Sequence, residues 1–177
     1  VEKINLISKS LKTAYFEFNW KLYQKLLNKS FENTVLLTND LDTLLPNFLL
    51  SKKKKIPLVF DSHEIFTEMP AIQGKISQKI WRFAENKMLP HIEFMMTESE
   101  SYAKWFHEKY NVTPVVVRNI PKKLPLQEKT LTQNPKIILY QGAINPSRGI
   151  DKAILAMKFI ENANLIIVGD GPMRKKY

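Results

Sequence analysis

Apolar residues fall along this chain in two alternating textures. Short, nearly continuous apolar runs occupy residues 4–7, 34–38, 57–61, 92–97, 114–118, 137–141 and 165–168, the length and composition of buried strands. Between them apolar residues recur three or four positions apart, which predicts helices over 14–28, 42–53, 76–89, 101–109 and 150–160. Asp42 and Ser99 stand where N-caps belong, and Pro46 falls in a first turn, where proline is tolerated. Strands that alternate with helices and lack a polar face predict parallel sheets covered on both sides. The expected fold class is α/β, a doubly wound Rossmann-like parallel sheet. Residues 121–135 carry three prolines and several lysines without periodicity, a linker signature. They separate a domain over 1–120 from a second over 136–177 that holds only strand, helix and strand. A complete doubly wound sheet needs more. The chain also opens on Val1 and stops at Tyr177 just after a glycine-rich turn, so it reads as a fragment.

The helix at 75–89 interleaves Ile76, Ile80, Phe83 and Met88 with Lys75, Lys79, Arg82 and Lys87. Apolar residues at this spacing predict a core face with a solvated basic face opposite. The alternative is a basic amphipathic helix lying on an anionic membrane. Trp20, Phe48, Trp81 and Trp105 sit at helical spacings that predict burial. The 52–55 lysine run suits a helix C-terminus meeting its dipole.

Composition narrows the function classes. The 177 residues are 44% hydrophobic and 25% charged, the balance of a folded chain rather than a disordered one. No uncharged apolar run reaches the ~20 residues of a membrane span. With no cysteine there is no disulfide framework, no Cys-ligated zinc and no cysteine nucleophile. The net charge of +10 attracts phosphates of any kind, whether on nucleic acid, lipid or nucleotide.

Four of the five glycines lie in the last 36 residues: Gly142, Gly149, Gly169 and Gly171. Gly142 and Gly149 bracket a strand-to-helix turn that also holds Arg148, where backbone N–H groups and a guanidinium could meet a phosphate, although any tight strand-to-helix turn uses glycine. The spacing is neither G-x-G-x-x-G nor a Walker A loop. Gly169 and Asp170 end the last strand at the sheet edge where α/β crevices lie, although taken alone a plain structural turn is the better account of them. His63 and Glu64 follow another strand end, and Asn39 and Asp40 a third. His91 and His107 fall on other elements, so no zinc site forms around His63, and adjacent Asp61, Ser62 and His63 make a poor hydrolase triad.

These residues carry a resemblance. The segments 39–46, 57–64, 97–99 and 116–121 look like the N-terminal domain of group 1 (family four) glycosyltransferases. The run Tyr140-Gln141-Gly142-Ala143-Ile144-Asn145-Pro146-Ser147-Arg148-Gly149 looks like the opening of that family's C-terminal domain, and Val168-Gly169-Asp170-Gly171-Pro172 like its next strand end. The similarity spans about residues 34–172. It implies a GT-B fold, with 1–120 the acceptor-side domain, lacking its first strand, and 136–177 the start of the donor-nucleotide domain. It implies transfer of a sugar, with retention, from a nucleotide-sugar donor to a glycan or lipid-linked acceptor, without cofactor or obligatory metal. His63 would be the catalytic residue facing the transferred sugar or its phosphate. Gly142, Asn145, Arg148 and Gly149 would meet the diphosphate, and Asn39, Asp40, Glu64, Asn119, Gly169 and Asp170 would line the crevice. Three departures stand against a complete match. Ala143 replaces the arginine that often follows the loop glycine, the N-terminal glycine-rich loop has no counterpart, and the donor-gripping E-x7-E segment would fall beyond Tyr177. The 177 residues alone are therefore expected to be inactive.

The resemblance is compatible with peripheral membrane contact and a cytoplasmic location, including the inner membrane surface; nucleic acid is not an expected partner. Two alternatives remain. A sugar-nucleotide epimerase of the same fold would need further crevice carboxylates and histidines. A basic phosphate- or nucleic-acid-binding module would need aromatics interleaved with Lys and Arg on an open face.

Overall fold

In the computed structural model, which describes residues 2–123 and 134–177, four of the apolar runs align as one parallel sheet. β1 (Leu36–Asn39), β2 (Leu58–Ser62), β3 (Phe94–Thr97) and β4 (Val115–Val116) lie in that order, with Leu36 opposite Leu58, Val59 opposite Phe94 and Met96 opposite Val115. Helices α1 (Leu11–Leu27), α2 (Leu41–Lys54), α3 (Ile76–Met88) and α4 (Glu100–Tyr110) complete this α/β unit, Val1–Pro121. A second unit, Lys122–Tyr177, pairs β5 (Lys136–Gln141) and β6 (Ala163–Val168) in parallel around α5 (Ile150–Ala156). The predicted linker over 121–135 lies mostly outside the described residues. No helix among the described residues is long and apolar enough to cross a membrane.

The strands of the first unit advance in one direction across the sheet. Right-handed crossovers then put α2, α3 and α4 on the same face. Burial agrees. Leu36, Leu58, Phe60 and Met95 point into a core closed by Leu41, Leu44, Leu50, Leu89 and Phe106. The alternate residues Leu37, Phe94, Val115 and Val117 are exposed. The expectation of helices on both faces is corrected here: among the described residues only one face is covered. Threonine and serine at the inward positions of the strand ends are fully bonded. Thr38 and Thr43 share a hydroxyl contact of 2.7 Å, Ser62 Oγ donates to Glu64 O, and Thr97 Oγ1 donates to Ser62 O.

Several element-level expectations are also corrected. Residues 4–7 form no strand; the Ile7 and Ser8 amides donate to the Glu17 carboxylate at 2.8 and 2.7 Å instead of to a neighbouring strand. The Lys21 ammonium, with these amides, holds the Glu17 carboxyl down at about 2. In α1 the inward stripe runs through Tyr15, Asn19, Tyr23 and Leu26, which leaves Trp20 64% exposed rather than buried. The helix α2 starts at Leu41, so Asp40 occupies the cap position and Asp42 the first turn. Pro46 therefore lies past the first turn and leaves the Asp42 carbonyl without its helical partner. Asn19 Nδ2 fills that vacancy at 2.8 Å, tying α1 to α2. The helix predicted to 160 ends at Ala156 and continues as a short 3₁₀ turn.

The largest reversal concerns α3. Gln78, Glu85 and Met88 face inward, while Ile76, Ile80 and Phe83 lie on the outside. Its polar side is anchored from within. Gln78 Nε2 donates to Thr67 O at 2.7 Å, and Gln78 Oε1 accepts from the Gly74 amide at 2.9 Å. Glu85 Oε2 accepts from Thr67 Oγ1 at 2.9 Å and from Tyr110 Oη at 2.6 Å. Trp81, Ala84 and Met88 pack on the core from this side too, so the inward face combines a second apolar set with polar groups bonded to buried partners.

Candidate active site

The carboxyl ends of β1, β2 and β3 form the edge on which the candidate residues gather. β1 ends in Asn39, whose carbonyl accepts the Thr43 hydroxyl at 2.6 Å. The chain then turns through Asp40 at φ 60° and ψ 164°. That region is nearly glycine-only and costs about 1–3 kcal/mol unless the surroundings enforce it. Two bonds enforce it here. The Asp40 amide donates to Asp61 O at 2.8 Å, and its Oδ1 accepts the His63 amide at 3.0 Å. Asp40 thus gives up capping its own helix to hold the turn after β2. Burial, then the neighbouring Asp40 charge, raises the Asp42 carboxyl above its ordinary range.

That turn presents His63. Its Nε2 lies 3.2 Å from Asp61 Oδ2. A carboxylate only accepts, so Nε2 carries the proton and Nδ1 of the neutral ring is left as an acceptor. His63 opens onto a cavity of about 550 Å³ lined also by Glu64, Glu68, Met69, Glu98, Tyr102 and Asn119. A neighbouring hollow of about 520 Å³ shares Glu98 and Asn119 with it and adds Arg118, which pairs with Glu100 at 3.7 Å. Ser99 caps α4 by accepting the Tyr102 amide at 3.3 Å, which aims the first turn of that helix at the cavity.

The cavity floor is braced from below. Glu68 is held by Arg82 at 3.0 Å and faces Lys109 at 3.8 Å. Glu85, beneath, sits 3.8 Å from the same lysine. Burial pushes the Glu85 carboxyl up, against the pull of its two hydroxyl donors and Lys109. Burial, then Glu85, also raises the Tyr110 phenol strongly.

Of the residues picked out in the sequence, the first unit brings His63, Glu64 and Asn119 onto one cavity. Asp40 stands behind as the brace of His63, and Asn39 does not line the cavity. In the second unit the backbone after β5 keeps pairing with that after β6. The Gly142 amide donates to Val168 O at 3.0 Å and the Ile144 amide to Asp170 O at 2.8 Å. The chains approach so closely that a Cβ on Gly169 would lie 1.8 Å from Gly142 O, and one on Gly171 2.4 Å from Ile144 O. These two glycines serve backbone approach. Asp170 is exposed, accepting the Gly171 amide and facing Arg174 at 3.7 Å. Asn145 is half-buried. Arg148 is exposed with no ion pair among the described residues, and Gly149 opens α5 at φ 73°. Glu68 and Tyr102 were not picked out from the sequence, and Glu98 only as part of the 97–99 segment. The only signal for Tyr102 is its place three residues after the Ser99 cap, at the carboxyl end of a strand.

No protein-family model and no curated protein matches the chain.

Proposed function

We propose that the protein is a retaining glycosyltransferase of the GT-B, group 1 type, moving a sugar from a nucleotide-sugar donor to a glycan or lipid-linked acceptor. The observation that carries this reading is the cavity at the carboxyl ends of a parallel sheet, where His63, Glu98, Tyr102 and Asn119 meet. Carboxylates and an amide suit a ligand made of hydroxyl groups, and a tyrosine ring suits an apolar sugar face. Glu64, Glu68 and Glu98 in the cavity lining disfavour phosphate. The first unit's cavity is therefore read as taking sugar; in the second unit, taken by itself, the 142–149 loop with Arg148 is the candidate for diphosphate. His63, oriented by Asp61 and by the Asp40 turn, offers Nδ1 to a sugar hydroxyl. These residues carry the binding and orienting parts of the chemistry, and a cytoplasmic location belongs to the same reading.

Amide NMR mapping tests the reading. The chain is titrated with UDP-, GDP- and ADP-sugars and with simple glycosides. Glycosides are expected to shift His63, Tyr102 and Asn119, and nucleotide diphosphates to shift 142–149. Shifts at neither place, with every compound, would refute it.

A further inference from the structure

We propose that the outward face of α3 is a docking surface for an anionic lipid bilayer. This inference stands apart from the transferase reading. Ile76, Ile80 and Phe83 are 77%, 50% and 65% exposed, and their spacing of four and three puts them on one stripe. An apolar stripe turned to water is unusual when the same helix buries a glutamine and a glutamate. This orientation is held by the bonds of Gln78 and Glu85 to Thr67 and Tyr110 together with the packing of Trp81, Ala84 and Met88 on the core, and is part of the folded state.

Charge chooses the occupant. Lys79 and Lys87 flank the stripe and make no ion pair among the described residues, while Lys75 precedes it. Lys87 Nζ lies 5.9 Å from the Phe83 ring, so cation and apolar group share one surface. The helix has a single acid, Glu85, and it points inward. The open sheet face, by contrast, exposes Leu37, Phe94, Val115 and Val117 with no lysine or arginine in its strands. Apolar residues that enter the acyl boundary, ringed by lysines at headgroup level, fit an anionic bilayer better than a rigid polyanion, which would leave the isoleucines and the phenylalanine in water. The helix also starts close in sequence to the cavity: Met69 and Pro70 line the cavity, and Ile76 begins the helix.

The test is flotation of the 177-residue chain with phosphatidylcholine vesicles, with and without phosphatidylglycerol. Binding is expected only with the anionic lipid and is expected to weaken as salt rises. Lys79→Gln and Lys87→Gln are each expected to weaken it about fivefold, the equivalent of ~1 kcal/mol per basic residue at such a surface. The double variant Ile80→Ser/Phe83→Ser is expected to abolish it. Phe94→Ser, on the sheet face, is expected to leave it unchanged. Circular dichroism keeps each variant interpretable, because the replaced side chains are exposed. No binding to anionic vesicles would overturn the proposal. So would binding that survives the Ile80→Ser/Phe83→Ser change, or equally salt-sensitive binding to duplex DNA that the same double variant abolishes.

Discussion

Asp40 and Gly169 show how single positions set the two candidate loops. Asp40 keeps a backbone conformation meant for glycine because its carboxylate holds the His63 amide. Replacing it separates the two effects. Asp40→Ala keeps the strain and loses the bond, whereas Asp40→Gly loses both. The glycine variant is therefore expected to be more stable than the alanine variant by about 1 kcal/mol in urea unfolding. Equal stability of the two would contradict the strain. At Gly169 the limit is contact: an added methyl would meet Gly142 O at 1.8 Å. Gly169→Ala is expected to break the β5–β6 pairing, seen as loss of dispersed amide signals over 136–177. At this scale the sequence was informative where a residue type has a narrow use. Glycines at strand ends and a histidine after a strand could be read directly. Tyr102 and Glu68 could not, because tyrosine and glutamate occur everywhere and only the fold brings them to His63.

The elements themselves were legible wherever apolar runs were short and continuous. β1, β2, β3, β5 and β6 fall within two residues of expectation. Residues 4–7 have the same texture but find no strand to pair with, a fact that no local pattern contains. Helix faces were less legible, since hydrophobic spacing marks a stripe but not its direction. In α3 the stripe turns out, because a second apolar set packs inward and Gln78 and Glu85 find buried partners there; in α1 it is shifted by one residue toward Asn19. The role of Asn19 is testable by a mutant cycle. Asn19→Ala is expected to cost about 1 kcal/mol in the native background, where Pro46 cannot satisfy the Asp42 carbonyl. In a Pro46→Ala background the restored amide takes over, and the same change is expected to cost much less. Equal costs in both backgrounds would show that the bond does not answer the proline.

Across the whole first unit, the cavity depends on a buried polar cluster rather than on the apolar core alone. The folded chain keeps a proton on Glu85 to a higher pH than the unfolded chain does, because burial disfavours the carboxylate. The stability this contributes is complete below the unfolded carboxyl's titration and fades as pH rises through the folded one. Glu85→Gln does not titrate, so it is expected to gain on the native chain as pH rises from acid toward neutral in urea unfolding. A gap independent of pH would contradict this. Glu85→Ala strands the Thr67 and Tyr110 hydroxyls and is expected to cost about 3 kcal/mol. The α/β class and the parallel order followed from strand–helix alternation, but the one-sided sheet did not, since it depends on the direction in which successive strands advance. The His63 cavity is expected to receive a sugar. Calorimetric titration of simple glycosides into the native chain and into His63→Ala reads this out. The native chain is expected to bind, and His63→Ala is expected to lose up to about 1.4 kcal/mol, tenfold, of that affinity. No glycoside binding by the native chain, or binding unchanged by His63→Ala, would contradict a sugar at this cavity.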